Sequence, residues 1–122
     1  MLKLRKLYSD RQFDIYAIDV DDRCFVEDFI KGLQESARKK IVRLLSNTAK
    51  NGTFKNEEKF KKLHCKKMDI YEFKSKPYRI LCTFDGDRKI ILSHGLEKCK
   101  NAQLKREIER AVDFFKQYFE GN

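Results

Sequence analysis

Residues 68–100 read MDIYEFKSKPYRILCTFDGDRKIILSHGLEKCK, and this stretch decides the fold. It contains three runs rich in β-branched, aromatic and aliphatic residues, which are typical of strands: 68–74, 77–84 and 89–95. Ser-Lys-Pro and Asp-Gly-Asp-Arg stand between the runs and favour turns. The stretch therefore predicts a three-stranded meander.

The segment upstream of the meander predicts a strand followed by two helices. Residues 12–20 (QFDIYAIDV) alternate apolar and polar side chains, which indicates a strand. The acidic pair Asp21-Asp22 can cap a helix that begins near Arg23. A second helix is predicted from about Ser36 to the stop signal Asn51-Gly52. A tight break between the two helices predicts a helical hairpin.

Two further segments complete the order of elements. Residues 53–67 are polar and basic, and we interpret them as a connection. Residues 101–119 place their apolar side chains on one face of a third helix. The order β-α-α-β-β-β-α predicts an α+β fold, in which an antiparallel sheet has an N-terminal helical hairpin and a C-terminal helix. Residues 1–122 are expected to form a single domain.

Composition restricts the class of protein. The chain is 41% hydrophobic and has ten Phe and five Tyr, which suffice for a core. No run approaches the ~20 apolar residues that span a membrane, and the basic N-terminus lacks the apolar run of a signal peptide. We therefore expect a cytoplasmic protein with no membrane partner.

Charge is distributed unevenly along the chain. Residues 31–67 hold twelve Lys or Arg against three acidic residues, within a formal net charge of +9. Residues 10–28 hold seven acidic residues against two Arg. The basic stretch would attract a polyanion, although a solubilising helix face is an equal alternative.

The four cysteines predict neither a metal site nor disulfides. They stand singly, and no spacing of His64, Cys65, His94 and Cys99 matches a zinc signature. Without a secretion signal the thiols are expected to be reduced. We expect no metal, no cofactor and no small-molecule ligand.

Strand alternation indicates where an anion could bind. With a short turn between their strands, Lys74 and Arg79 would be direct cross-strand neighbours. Two adjacent cations repel each other unless an anion bridges them, so the pair predicts an anion site. The alternatives are that Glu72 neutralises the cations or that both project freely into water.

The order of motifs resembles the HigB/RelE-like toxins of type II toxin–antitoxin systems, within the RelE/ParE superfamily. The resemblance lies in IYEFKSKPYRIL, in IILSHGLEKCK and in the closing helix LKREIERAVDFFKQY, with DIYAIDVDDRCFVEDFIKGLQ upstream. It implies a RelE-like fold and a toxin that cleaves mRNA on the translating ribosome. It also implies a cognate antitoxin that blocks the toxin, and antitoxins of this family often contain a helix-turn-helix.

The resemblance also assigns roles to residues in this chain. Lys74 and Arg79 would face the RNA, Lys98 and Lys100 would match a lysine pair after the third strand, and His94 matches a common His before Gly. Lys74 stands where an Arg is common, and a lysine cannot clamp a phosphate with two parallel bonds.

The chemistry expected of such a site is attack by the RNA's own 2′-hydroxyl on the adjacent phosphate. Arg79 would stabilise the phosphate with help from Lys74 and Lys98, and His94 is the candidate acid or base, with a structural role as the alternative. Glu72 would act as the electrostatic partner of Arg79 or as a base. Cations of the loop KFKKLHCKK are expected to bind RNA backbone: Lys61, Lys62, His64, Lys66 and Lys67. Tyr118 is predicted to pack.

Two other functions stay open. One is a ParE-like toxin that inhibits DNA gyrase, because both branches of the superfamily share this topology. The other is a phage-encoded RNA-binding protein whose active site has decayed. The separation of Lys98 from Lys100 by Cys99 keeps this last alternative open.

Overall fold

The computed structural model describes residues 1–52, 54 and 56–121, which form seven strands and three helices. In chain order the elements are β1 (Leu2–Ser9), β2 (Asp14–Val20), β3 (Arg23–Cys24), α1 (Phe25–Lys31), α2 (Glu35–Asn51), β4 (Phe60–Leu63), β5 (Ile70–Ser75), β6 (Tyr78–Phe84), β7 (Lys89–Glu97) and α3 (Asn101–Gly121).

A single mixed sheet runs through the molecule in the order β1-β2-β7-β6-β5-β4, and β3 pairs with β2. The strands β5, β6 and β7 form the predicted antiparallel meander. Strands β2 and β7 are parallel, with Asp14 opposite Lys89 and Ala17 opposite Leu92. The prediction of a wholly antiparallel sheet was therefore wrong. Turn residues determine the relative direction of two strands that follow each other in the chain. They give no information on strands such as β2 and β7, which are separated by helices in the chain and pair in the sheet.

The sheet begins at the N-terminus, so the predicted element order was incomplete. Strand β1 precedes β2 and pairs with it antiparallel, from Leu2 opposite Val20 to Ser9 opposite Asp14. The helices therefore follow a β-hairpin and the short strand β3, where the sequence predicted a single strand. Arg5 on β1 contacts the buried Asp19 on β2 at 2.5 Å and Glu27 on α1 at 2.9 Å. These ion pairs join the hairpin to α1.

The predicted cap of the first helix was also wrong. Asp21 and Asp22 have positive φ angles of 52° and 67° and form the turn between β2 and β3. Helix α1 starts later, after Cys24, which makes no capping hydrogen bond with its side chain. The two carboxylates pair with β1 and its N-terminus instead: Asp21 with the amino group of Met1, and Asp22 with Lys3 Nζ at 2.8 Å.

Helix α2 ends as the sequence predicts. Gly52 adopts the left-handed conformation at φ 63°, and its N–H donates to the Thr48 carbonyl. The segment 53–67, predicted as a connection, contains the short edge strand β4, which pairs with β5. Thr53 and Lys55 of that segment lie outside the described residues.

Both faces of the sheet are covered by helices. Side chains of α1 and α2 pack with Ile80 and Cys82 on one face, and side chains of α3 pack with Leu81 and Ile91 on the other. Successive residues of β6 therefore face opposite sides of the sheet. Because each face is buried, a polar site has to lie at an end or an edge of the sheet.

Candidate nucleic-acid interface

Lys74 and Arg79 are direct partners across the turn between β5 and β6, as predicted. The next pair toward the turn is Ser75 with Tyr78. Cross-strand partners project to the same side of a sheet. The two cations therefore share one end of the sheet and one face of it.

Arg79 has an acidic partner. Its Nη1 lies 3.3 Å from Glu72 Oε1, and the side chains of Arg79 and Glu72 are 19% and 3% exposed. Glu72 Oε1 receives no hydrogen bond of good geometry from the described residues, so the contact rests on charge attraction. Glu72 therefore neutralises Arg79, which is one of the alternatives that the sequence left open. For Lys74, no ion pair to a described acidic residue is found within 4.0 Å.

The environment of Glu72 balances burial against positive charge. Burial raises the pKa of the Glu72 carboxyl, and the nearby Arg79, Lys74 and Lys61 oppose that rise. The pKa nevertheless stays above its ordinary value. A carboxylate held this deep can orient Arg79, but it has little access to a bound ligand.

His94 lies inside the interface between β7 and α3. An irregularity in the pairing of β6 with β7 places Ser93 and His94 together opposite Leu81. The His94 side chain is 3% exposed; Nδ1 lies 3.0 Å from Ser93 Oγ, and Nε2 lies 3.2 Å from Glu107 Oε1 on α3. The buried ring favours the structural alternative for His94 over the predicted role as acid or base, because the ring does not reach the surface.

The buried position changes the titration of His94. Burial lowers the pKa of the imidazole, Arg110 lowers it further, and Glu107 opposes both effects. The net result is a pKa below the ordinary value of 6.5. The ring is accordingly neutral at physiological pH, with Ser93 and Glu107 as its hydrogen-bonding neighbours.

Lys98 and Lys100 are exposed and follow the end of β7. The backbone N–H of Lys98 donates to the Pro77 carbonyl at 2.7 Å, so Lys98 lies beside the turn between β5 and β6. Two residues before Lys98 on β7, Leu96 is the partner of Arg79. The structure thus brings Lys74, Arg79 and Lys98 to the same end of the sheet.

The predicted RNA-binding residues are divided between two places, because Lys61 is the cross-strand partner of Glu72 and lies near the Lys74–Arg79 pair. Lys61 and Lys62 are exposed on β4, and Lys62 Nζ pairs with Asp69 at 3.2 Å. His64, Lys66 and Lys67 line a groove of about 760 Å³ between the end of β4 and α3. Apolar side chains from α3 form part of its wall. This groove and the Lys74–Arg79 pair are separate surfaces.

A second cavity of about 760 Å³, the α2 cleft, was not predicted from the sequence. It lies between α2, the residues that lead into β4, and the turn between β5 and β6. Its lining side chains are Lys40, Arg43, Leu44, Asn47, Thr48, Asn56, Glu58, Lys59, Phe60, Lys74, Ser75 and Lys76. The spacing of Lys40, Arg43 and Asn47 on one face of a helix was the available signal.

Tyr118 anchors the C-terminal part of α3, in line with its predicted packing role. Its hydroxyl donates to Asp85 Oδ2 at 2.7 Å and accepts a hydrogen bond from Lys89 Nζ at 2.8 Å. Both partners flank the loop between β6 and β7. The contact therefore holds the helix against the sheet.

The described residues hold neither a metal cluster nor a membrane-spanning helix. Across residues 1–52, 54 and 56–121, no group of three or more His, Cys, Asp or Glu side chains is arranged to hold a metal ion. The four cysteines are free thiols, and Cys24 and Cys82 are buried. None of the described helices has both the length and the apolar character needed to cross a bilayer.

Comparison with solved structures identifies the fold. A chain of the archaeal RelE–RelB complex from Pyrococcus horikoshii OT3 is similar, with a TM-score of 0.56 and 11% sequence identity. The alignment covers 74% of this chain and 99% of that chain. The RelE-like fold expected from the motifs is confirmed, and the assignment to the HigB branch stays a prediction.

Comparison by sequence identifies the family. No curated protein matches the chain. A family model described as "Phage derived protein Gp49-like (DUF891)" matches residues 28–116, which run from α1 into α3 and include every strand of the meander. The chain therefore belongs to the phage-derived Gp49-like protein family.

Proposed function

We propose that this protein is the toxin of a type II toxin–antitoxin module and that it cleaves mRNA on the translating ribosome. The observation that carries the proposal is the grouping of Lys74, Arg79 and Lys98 at one end of a RelE-like sheet. Cations that converge at an open sheet end suit a phosphate backbone. The family membership and the fold similarity support it.

The proposed chemistry is attack of an RNA 2′-hydroxyl on its neighbouring phosphate. The site has to stabilise the additional negative charge that develops on the phosphate oxygens. Arg79 supplies a planar donor fork for these oxygens, and Lys74 and Lys98 add positive charge. Glu72 holds the guanidinium of Arg79 in place.

Proton transfer in this mechanism does not involve a histidine. Of the two histidines, His94 is buried against α3 and His64 lines the groove beside α3. The proposed mechanism therefore relies on charge stabilisation, with water as the proton carrier. Such a site needs neither a metal nor a cofactor.

The proposed partners are mRNA on the ribosome and a cognate antitoxin. RelE in the similar archaeal structure is in complex with RelB. An antitoxin for this chain would neutralise the basic surface with acidic side chains or a helix. A protein that acts on translated mRNA would work in the cytoplasm.

Cleavage by purified components tests the proposal. The protein is incubated with translating ribosomes and a reporter mRNA, and transcript ends are mapped by primer extension. Because Arg79 is the main stabiliser of the phosphate, Arg79→Ala is expected to slow cleavage by roughly 100-fold. Arg106→Ala, which removes an exposed cation of α3 that has no predicted role in cleavage, is the matched control. Intact transcripts with the wild type, or equal rates for Arg79→Ala and wild type, would refute the proposal.

A second candidate is an RNA-binding protein that has lost cleavage. Two observations favour it: Arg79 is paired with Glu72, and His94 is buried. This candidate predicts salt-sensitive RNA binding without new transcript ends and without growth arrest. The same primer-extension experiment separates the two functions.

A further inference from the structure

The α2 cleft is strongly cationic. Five of its lining side chains are positively charged, against Glu58 as the acidic one: Lys40, Arg43, Lys59, Lys74 and Lys76. Lys40 and Arg43 come from one face of α2, and Lys74 and Lys76 come from the end of β5 and the turn that follows it. The charges thus approach the cavity from two walls.

These five cations have no ion pair within 4.0 Å to any acidic residue that the structure describes. The contrast with neighbouring cations is clear, because Lys39 on α2 pairs with Glu35 at 2.8 Å and Arg79 pairs with Glu72. Uncompensated charges of one sign around a cavity raise the local potential. The cleft therefore favours an anion that offers several negative groups at once.

The neutral side chains of the cleft favour backbone contacts over base contacts. Asn47, Asn56 and Ser75 provide hydrogen-bond donors beside the cations. Phe60 is the aromatic lining residue, but it is only 7% exposed and packs in the core. A base could not stack on it, whereas phosphate oxygens would find both charge and donors.

The cleft is connected to the proposed catalytic end of the sheet. Lys74 lines the cleft and is also the cross-strand partner of Arg79. The cleft and the Lys74–Arg79 pair therefore adjoin at the end of β5, where Lys74 stands.

We propose that the α2 cleft is a sequence-independent site for the phosphodiester backbone of a single nucleic-acid strand. The choice of RNA as that strand rests on the proposed function, whereas the binding itself does not. The chemistry that RNA and DNA share is the phosphate backbone, so both strands are needed as probes.

The test is fluorescence anisotropy with a labelled 12-nucleotide RNA and a DNA of the same sequence, without ribosomes. Lys40→Ala combined with Arg43→Ala is expected to weaken binding about tenfold and to reduce the slope of log K against log salt by about 1.4, at roughly 0.7 for each lost phosphate contact. Lys39→Ala combined with Arg106→Ala is the matched control, because it removes the same charge from exposed positions outside the cleft.

The outcomes separate this site from the cleavage proposal. A loss of binding in the cleft variant, on RNA alone or on both strands, supports the site even when the wild type cuts no mRNA. Equal affinities and salt slopes for the cleft variant and the control overturn it, and so does a loss confined to DNA. If Arg79→Ala still abolishes cleavage in that case, the toxin proposal stands without the cleft. Thermal melts verify that both double variants are folded.

Discussion

Glu72 is the residue whose charge state the fold perturbs through both burial and neighbouring cations. A raised carboxyl pKa means that the folded protein binds a proton more tightly than the unfolded chain does. The stability that this proton contributes is present below the ordinary pKa of 4.5 and is lost as the pH rises through the raised value. The glutamate is therefore a weak point of the neutral-pH structure.

Glu72→Gln should remove this dependence. We expect the melting temperature of the wild type to fall relative to that of Glu72→Gln as the pH rises from about 4 to 7, because only the wild type has to bury a charge. The measurement is a series of thermal melts, with the exposed Glu58→Gln as control. Parallel curves for wild type and Glu72→Gln would contradict the expectation.

His94 shifts in the opposite direction. Its pKa is lowered in the folded protein, so the unfolded chain binds the proton more tightly. The contribution of the neutral ring is present above the ordinary pKa of 6.5 and is lost as the pH falls below it. Protonation would place a charge in the interface that Ser93, Glu107 and Arg110 share with the ring.

His94→Gln is expected to reduce the loss of stability between about pH 7 and 5, since glutamine keeps a hydrogen-bonding group without a titrating one. Urea unfolding at both pH values measures the effect. His64→Gln, at the exposed histidine, should leave the pH dependence as in the wild type. An unchanged pH dependence in His94→Gln would show that the buried ring does not control acid sensitivity.

The sequence predicted the positions of some of these residues better than those of others. The pairing of Lys74 with Arg79 follows from the length of one hairpin turn, so local information was enough. The burial of His94 depends on an irregularity in β7 and on contact with Glu107, which lies 13 residues further along the chain in α3, and no local pattern predicts either. Three cations of the α2 cleft, Lys40, Arg43 and Lys59, stood out in the sequence only as members of the basic stretch 31–67.

At the scale of elements, the contact between α1 and β7 depends on a glycine. Gly95 stands in β7, and a Cβ atom added there would overlap the Phe29 ring of α1. Helix α1 can therefore approach the sheet only because this position has no side chain. In this chain the glycine that follows His94 is therefore explained by the packing of Phe29 against β7.

Gly95→Ala is expected to destabilise the protein by about 1–3 kcal/mol, because the methyl group would displace an aromatic ring in a packed interface. Urea unfolding at neutral pH gives the difference. Gly121→Ala, where an added Cβ meets nothing within 4 Å, is the control. A stability of Gly95→Ala equal to that of the control would show that α1 moves freely on the sheet.

Elements with a long apolar pattern were predictable, and edge elements were not. The meander and α3 follow from alternation and helical periodicity over many residues. Strand β1 carries Lys3, Arg5 and Lys6 among its leucines, and β4 is only four residues long with two exposed lysines. Charged and short edge strands protect a sheet from aggregation. The same charges and short lengths disrupt the apolar alternation by which a strand is predicted from sequence.

At the scale of the molecule, the sequence indicated the RelE-like fold through the order of its motifs, and the family and structural similarities agree with it. What could not be predicted is how β2 enters the sheet. Its parallel contact with β7 joins residues about 75 positions apart, so it depends on how the two helices cross the sheet. The α2 cleft and the Lys74–Arg79 pair lie at the periphery of this assembly.

The parallel contact between β2 and β7 determines at which point of synthesis the sheet can be assembled. Strand β2 is synthesised before its neighbour β7, which runs from Lys89 to Glu97. In the sheet β7 stands between β2 and β6, so β1 and β2 are joined to β4, β5 and β6 only through β7. A chain truncated before β7 would therefore lack the strand that joins the two parts of the sheet, and Lys74, Arg79 and Lys98 would not be assembled at one end of it.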